Sequence, residues 1–354
     1  MFRLSAVSGA LETYVETCAA VVEPERTAEV LRLLKKRGVL NRRFRIVRRE
    51  GFILIPVTDP IEASRLGLRV TKTRLPLNYR GLTFKDLLVE RIPEEVLNRI
   101  PRSFDIIGDI ALIELSPEDA KIYGKIIAEA IMKLHPNIKS VYARGRTLGL
   151  ERVRELMHIG GEKRTTTVHR EYGLKIFVDI ARVYFNPSLA EEHRRIATYV
   201  KDGELILDMF AGTGPFSLHI ASIRKATVIS IDVNPRAIEC LRVSIMLNKL
   251  RGDLHPLVAD SSYVASMFLS QFDRVIMNLP QNSLNFLSQA LEITKRNAYI
   301  YLYTIAPSCS DAVKMLQSTI SKISVDKKVK VENCVRILPY SPRRYIYRIN
   351  LCTV

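Results

Sequence analysis

No apolar run in this chain reaches the ~18 residues that a membrane-spanning helix needs, so no span is expected. The amino-terminal region carries Glu12, Glu16, Glu23 and Glu25 and lacks a basic segment followed by an apolar one. That argues against a secretory signal and for a cytoplasmic protein. The five cysteines (Cys18, Cys240, Cys309, Cys334, Cys352) are scattered without a CxxC pair. Such spacing indicates neither zinc nor disulfides and reads as buried thiols in a reducing compartment. Internal repeats and low-complexity segments are also missing. What remains is a chain of 354 residues, 47% hydrophobic, long enough for two or three domains with well-built cores.

Acids are missing from one stretch in particular. Arg32, Lys35, Lys36, Arg37, Arg42, Arg43, Arg45, Arg48 and Arg49 follow one another with no acid between them, in a chain of net charge +17. A solvated face normally mixes signs. Leu31, Leu33, Leu34, Val39, Leu40, Phe44, Ile46 and Val47 interleave with the cations, so a core side and an outward basic side are expected. Arg42, Arg43 and Arg45 are the candidate contacts to nucleic-acid phosphate, which would position a substrate without reading its sequence.

The most informative segment runs from Leu205 to Phe216, LILDMFAGTGPF. An apolar run ends in Asp208, passes a turn containing Gly212 and Gly214, and enters a second apolar run. That is a buried parallel strand handing over to a helix beneath a cofactor. The turn has no lysine, which excludes a GxxxxGK[ST] phosphate loop, and Ser217 stands where a dinucleotide fingerprint needs its third glycine. An acid before a two-glycine turn suits a ligand with a cationic end, such as S-adenosylmethionine. Strand-like runs then recur at Ala226–Ile231, Leu254–Ala259, Phe272–Met277 and Ala298–Tyr303, with helical segments between them, and Val329–Leu338 and Tyr345–Cys352 close the chain as a hairpin. About seven strands in a doubly wound sheet are expected. Asp208, Asp232, Asp260 and Asn278 all end strands, so they line one crevice. Asp232 is placed for the ribose hydroxyls and Asp260 for the adenine amino group.

The pass along the chain predicts a small amino-terminal α/β domain over residues 1–70 and a linker at Thr71–Gly81. A middle α/β domain follows, so that residues 71–183 precede an S-adenosylmethionine-binding domain over 184–354. In the middle domain Ser116-Pro117 opens a helix that runs to about Leu134. After the fourth strand comes Asn278-Leu279-Pro280-Gln281, a variant of the [ND]-P-P-[YFW] motif of methyltransferases that act on planar nitrogens. No aromatic stands in the fourth position, and Phe286 lies too far along to replace it. That argues against amino-group methylation of adenine and leaves Asn278 able to bond a donor and an acceptor on a base edge.

The ordered blocks SFDIIGDIA (103–111), ERVRELMHIGGE (151–162), VYFNPSLAEEHRRI (183–196), DMFAGTGPF (208–216), IDVNPRAIECL (231–241) and VIMNLP (275–280) resemble the archaeal and eukaryotic tRNA (guanine-37-N1)-methyltransferase family. The resemblance covers nearly the whole chain. It implies an α/β protein in which a Rossmann-like class I methyltransferase domain carries two smaller amino-terminal RNA-binding domains. It also implies a monomer that uses S-adenosylmethionine and tRNA and needs no metal. Guanine N1 becomes nucleophilic only as its proton leaves, so a general base and a group at O6 are required. By similarity Glu192 is that base, Arg152 the O6 group, Asn278 and Pro280 the base-edge contacts, and Tyr184 and Phe210 neighbours of the cofactor. The adjacent Glu191 competes for the base role. The chain departs from the family at Ser188, His193 and Gln281, where cations usually stand, and Arg194, Arg195, Arg343 and Arg344 are candidate replacements. A relative acting on a wyosine precursor, by C7-methylation or aminocarboxypropyl transfer, is the alternative.

Overall fold

The computed structural model describes residues 14–78, 83–89, 91–148, 153–324 and 327–354. The chain divides into two compact units, residues 1–102 with 129–136 and residues 103–128 with 137–354.

In the first unit β1 (Tyr14–Val22), α1 (Thr27–Lys36), β2 (Val47–Arg49), β3 (Phe52–Pro56), α2 (Pro60–Arg65) and β4 (Arg69–Pro76) build a four-stranded sheet in the order β2-β3-β1-β4. A short helix, α3 (Glu94–Arg99), follows. β4 pairs antiparallel with β1 from Tyr14↔Pro76 to Val21↔Arg69. The expected linker at Thr71–Gly81 therefore begins as a strand, and the expected 70/71 boundary falls inside it. The misreading has a physical cause. Lys72 and Arg74 lie on the solvated face of an antiparallel strand, and cations in alternation look like linker composition. Val30, Leu34, Val39 and Phe44 are buried while the cations among them are exposed, as the basic run predicts; Ile46 instead is 43% exposed.

The second unit opens with β5 (Asp105–Ile107), β6 (Ile110–Glu114), α4 (Pro117–Leu134, whose residues from Glu129 on belong to the first unit), β7 (Ser140–Leu148) and β8 (Val153–Gly161). The Ser116 hydroxyl accepts from the Asp119 backbone N–H at 3.0 Å, the expected amino-terminal cap. A hairpin of β9 (Thr166–Glu171) and β10 (Leu174–Asp179) leads to α5 (Ala190–Tyr199). Then come β11 (Leu205–Asp208), α6 (Pro215–Ile223), β12 (Thr227–Asp232), α7 (Pro235–Met246), β13 (Asp253–Val258), α8 (Val264–Met267), β14 (Phe272–Met277), α9 (Leu287–Ile293), β15 (Thr294–Ala306), α10 (Cys309–Ile320), β16 (Val329–Ser341) and β17 (Arg344–Thr353). Seven strands pair in the order β13-β12-β11-β14-β15-β17-β16. The first five are parallel and the last two antiparallel, the doubly wound sheet with a closing hairpin that the sequence predicts. Its interior strands are apolar on both faces: Ile206, Leu207, Val275, Ile276, Ile300 and Leu302 are all fully buried.

Two expectations fail in this unit. Ile107, Ile110 and Leu112 share one core with Val183, Phe185, Leu218 and Leu241, so no break between compact units falls at 183/184. Cys309 and Cys334 are joined in a disulfide between α10 and β16, with Cα atoms 6.0 Å apart, rather than being free thiols. Their partnership comes from the packing of α10 on the edge of the sheet, which a sequence separation of 25 does not reveal.

Candidate active site

The chain leaves β11 for one side of the sheet, through β12 and β13, and returns to the other side through β14 and β15. Open α/β sheets bind ligands at such a reversal, outside the carboxyl ends of the strands. A cavity of about 310 Å³ lies there. Its wall is formed by Tyr184–Asn186, Leu189 and His193, by Met209–Thr213 of the glycine turn, by Asp232–Asn234 after β12, by Asp260 and Ser261 after β13, and by Asn278, Leu279, Gln281, Asn282 and Phe286 after β14.

The turn is built for close approach. Gly212 has φ +55°, and an added Cβ would point into open space with only the Tyr184 carbonyl at 4.0 Å. Gly214 caps α6 at φ +75°, where a Cβ would sit 2.3 Å from a Leu241 methyl group. The first glycine opens the cavity; the second lets α6 pack on α7. The Gly212 N–H donates to Asp232 Oδ2 at 2.7 Å and the Asn234 N–H to Oδ1 at 2.9 Å, so the carboxylate is held in one orientation at the wall. Asp260 Oδ1 accepts from the Ser262 N–H at 2.8 Å. Phe210 meets Phe286 edge-on with centroids 5.0 Å apart.

Tyr184, Phe210, Gly212, Asp232, Asp260 and Asn278 are thus brought together on one wall. Asp208, Glu192, Gly214 and Pro280 do not line it. Asp208 is fully buried; its Oδ2 accepts from the Ser217 hydroxyl at 2.8 Å and its Oδ1 has no partner. Burial, with the nearby Asp232 charge adding to it, pushes this carboxyl up to about 7. Arg152 lies outside the described residues. Arg42 and Arg45, with Lys35 and Phe44, line an open concavity of about 890 Å³ in the first unit; Arg43 is exposed but does not line it.

The two adjacent glutamates part company. Glu191 is exposed and accepts from Arg195 at 2.6 Å. Glu192 is 5% exposed and turned inward, where its Oε1 accepts from the Tyr303 hydroxyl at 2.7 Å and from the Arg348 guanidinium. Arg195 is therefore engaged with Glu191, and Arg194 lies over the Tyr172 ring at 5.9 Å, so these two of the four candidate replacement cations have partners. Gln281 donates to the Tyr340 hydroxyl.

Sequence reasoning missed two features. Phe286 does reach the cavity, because the turn after β14 doubles back: the Ser283 hydroxyl donates to the Met277 carbonyl at 2.9 Å and accepts from the Leu279 N–H at 3.2 Å. His193 replaces a cation of the family because its partner is internal. Its Nδ1 lies 2.8 Å from Glu171 Oε2, and His219 Nε2 lies 3.1 Å from the same oxygen. Burial works to raise the Glu171 carboxyl, but the hydrogen bonds and charges of these two histidines hold it down to about 2. Three elements, β9, α5 and α6, supply these residues, and no local spacing announces them.

The cavity fits S-adenosylmethionine on its own terms. Asp208 Oδ1 is a buried acceptor without a partner behind the turn, Asp232 presents two fixed oxygens, and Gly212 leaves the backbone bare. A cationic end, a ribose diol and a flat base are what these groups complement. Sheet order, reversal-point cavity and strand-end acids together define a Rossmann-like class I methyltransferase fold.

Comparison with known proteins narrows that class. Residues 167–332 match the TRM5/TYW2 methyltransferase domain, 84–165 the TYW2 N-terminal domain and 22–65 the tRNA methyltransferase 5 N-terminal domain. The tRNA (guanine(37)-N(1))-methyltransferase Trm5b of Pyrococcus abyssi is 36% identical over 332 residues, covering 92% of this chain and 96% of its own. The crystal structure of Trm5b from Pyrococcus abyssi superposes with a TM-score of 0.72 at 34% identity, over 95% of this chain and 99% of that one. The tRNA 4-demethylwyosine(37)-methyltransferase Taw21 of Saccharolobus solfataricus is also 36% identical, but over 223 residues, 61% of this chain and 82% of its own. The chain belongs to the TRM5/TYW2 methyltransferase family. Among the described residues no helix is long and apolar enough to cross a membrane.

Proposed function

We propose that this protein transfers the methyl group of S-adenosylmethionine to N1 of guanosine 37 in tRNA, as a monomeric cytoplasmic enzyme. The observation that carries the reading is coverage. Trm5b and Taw21 relatives reach the same 36% identity, but the Trm5b match extends through the amino-terminal unit to 92% of the chain, against 61% for Taw21. A solved complex of aTrm5 with tRNALeu, 31% identical with a TM-score of 0.70 over 94% of this chain and 99% of that one, supports tRNA as the partner.

When bound, S-adenosylmethionine supplies an electrophilic methyl group. The chain's own groups do the rest. Asp232 accepts from the ribose hydroxyls, Asp260 from the adenine amino group, and Asp208 lies behind the cationic end. Asn278 holds the guanine edge and Glu192 takes the N1 proton, while Arg152 stabilises the charge that grows on O6. Both bonds to Glu192 fall on Oε1, which leaves Oε2 as the proton acceptor. Arg42, Arg43 and Arg45 of the first unit grip phosphate. Incubating the protein with unmodified tRNA and S-adenosylmethionine, then digesting to nucleosides, tests the reading. The expected product is 1-methylguanosine from position 37. A guanosine left unchanged there, with a wyosine precursor modified instead, overturns it.

A further inference from the structure

Next to His193 of the cavity wall, Glu192 on α5 belongs to a buried ionic network with Tyr303 on β15 and Arg348 and Asn350 on β17. Arg348 is the largest fully buried side chain described, 1% exposed, and Tyr303 is 0%, Asn350 7% and Glu192 5% exposed. Arg348 uses its nitrogens separately: Nε donates to Asn350 Oδ1 at 2.8 Å and one terminal nitrogen donates to Glu192 Oε1. The Tyr199 ring covers the guanidinium at 5.7 Å. The Tyr303 hydroxyl donates to the same Oε1 at 2.7 Å. Burial and the Glu192 charge hold that phenol well above its ordinary range, so it remains a donor.

An ion pair of this kind is a poor means of stabilising a fold. Desolvating both charges costs about as much as their attraction returns, and apolar replacements of similar volume are often neutral or better. What the pair does supply is a fixed geometry. Two donors converge on one oxygen of Glu192, from two neighbouring strands of the sheet, while the other oxygen accepts no hydrogen bond from the described residues. Glu192 itself is not among the residues that line the cavity; its neighbour His193 is, and so is Leu189, which immediately precedes α5. The carboxylate is therefore gripped from the sheet side, and one oxygen is left over.

We infer that Arg348, oriented by Asn350, and Tyr303 are positioning residues that pin Glu192 Oε1 so that Oε2 accepts the guanine N1 proton. The inference rests on the reading of Glu192 as the general base. In the step, the N1–H bond breaks and an Oε2–H bond forms. The pair left on N1 would form the bond to the methyl carbon of a bound S-adenosylmethionine, and the C–S bonding pair would stay on sulfur as the thioether departs. The carboxylic acid stays hydrogen-bonded through Oε1 and returns its proton to solvent after product leaves. Arg348 gives the buried carboxylate its counter-charge at rest, and neither positioning residue touches the reacting atoms.

The test compares Tyr303→Phe, Arg348→Met, Arg348→Lys and Glu192→Gln in the full-length protein. Single-turnover methyl transfer is measured beside the dissociation constants for S-adenosylmethionine and tRNA. Positioning predicts that Tyr303→Phe slows transfer about tenfold and Arg348→Met about a hundredfold, with both dissociation constants within about twofold of the parent. It also predicts that Arg348→Lys recovers part of the loss, a rescue that a space-filling role does not give to lysine over the apolar methionine. Parental transfer rates in Tyr303→Phe and Arg348→Met, with Glu192→Gln slow, overturn the positioning role alone. A parental rate in Glu192→Gln overturns the base assignment beneath it. If Arg348→Met fails to fold, Tyr303→Phe carries the test, because it removes one hydroxyl and keeps the ring in its core.

Discussion

The cavity at the sheet reversal and the concavity of the first unit are built by opposite means. The cavity of about 310 Å³ at the sheet reversal is walled by the glycine turn, by aromatic and other apolar side chains such as Phe185, Phe210 and Phe286, and by Asp232, whose two oxygens are fixed by backbone N–H groups. The concavity of about 890 Å³ in the first unit is open and edged by Lys35, Arg42 and Arg45, whose long stems leave the charges in water. Few atoms decide what the first can hold, so each should matter greatly. Many interchangeable charges serve the second, so each should matter little, and salt should matter to all of them.

The sharpest way to break this contrast is at Glu192. Glu192→Gln should slow single-turnover methyl transfer about 10²-fold or more while tRNA and S-adenosylmethionine still bind. A parental rate would leave the small cavity a binding site only. Next in size is Gly214→Ala, which places a Cβ at φ +75° against Leu241. A loss of about 1–3 kcal/mol of stability is expected in denaturant titrations, and an unchanged midpoint would show that the turn adapts.

Two buried carboxyls behind and beside the cavity should respond to pH in opposite directions. Asp208 has its folded value raised to about 7 from 3.8. Its contribution is fully present below the unfolded value and is lost as pH rises through 7, so the ligand-free parent should lose stability relative to Asp208→Asn between pH 5 and 8. Bound S-adenosylmethionine should reduce that loss. Glu171 is lowered from 4.5 to about 2. Its contribution is present above 4.5 and is lost as pH falls through about 2, so Glu171→Gln should be destabilising at neutral pH and approach neutrality only at about pH 2. Thermal melts of each pair across pH check both signs, and parallel curves would remove the carboxyl concerned.

The smallest effects are expected in the open concavity. Reversing the charge of Arg42 or Arg45 singly should weaken tRNA binding about tenfold or less at low salt, and should flatten the dependence of log affinity on log salt concentration by about one unit per lost phosphate contact. An unaltered slope would make the basic run a solvated face. A large loss that persists at high salt would instead make this surface as specific as the cavity, and the contrast would fall.

The parts that could be read from sequence share a property: their signals are local. A parallel strand buried on both faces reads as a continuous apolar run, and the Gly212–Gly214 turn imposes its conformation through its own backbone. Strand-end acids at Asp208, Asp232 and Asp260 follow from that frame, and so does Asn278. The reading failed where a signal had two meanings or where partners were distant. Lys72 and Arg74 looked like linker residues because a solvated strand face and a basic linker have the same composition. Phe286 was set aside because eight residues separate it from Asn278, a distance that the hydrogen bonds of Ser283 close. Counting cations suggested that His193 was a loss at the site, and only the position of Glu171 gives it a purpose.

By itself, then, the sequence determined the strands of the carboxyl-terminal doubly wound sheet and their succession along the chain, the crevice at their ends and the sign of the charge on the amino-terminal surface. Each depends on hydrophobic period, turn chemistry or charge along a short piece of chain. The tertiary structure decided which carboxylates face solvent and which are gripped: Glu191 outward to Arg195, Glu192 inward to Tyr303 and Arg348, and Asp208 behind the wall rather than in it. The reason is that a carboxylate's role depends on the donors and the burial around it. For Glu192 those come from strands more than a hundred residues away.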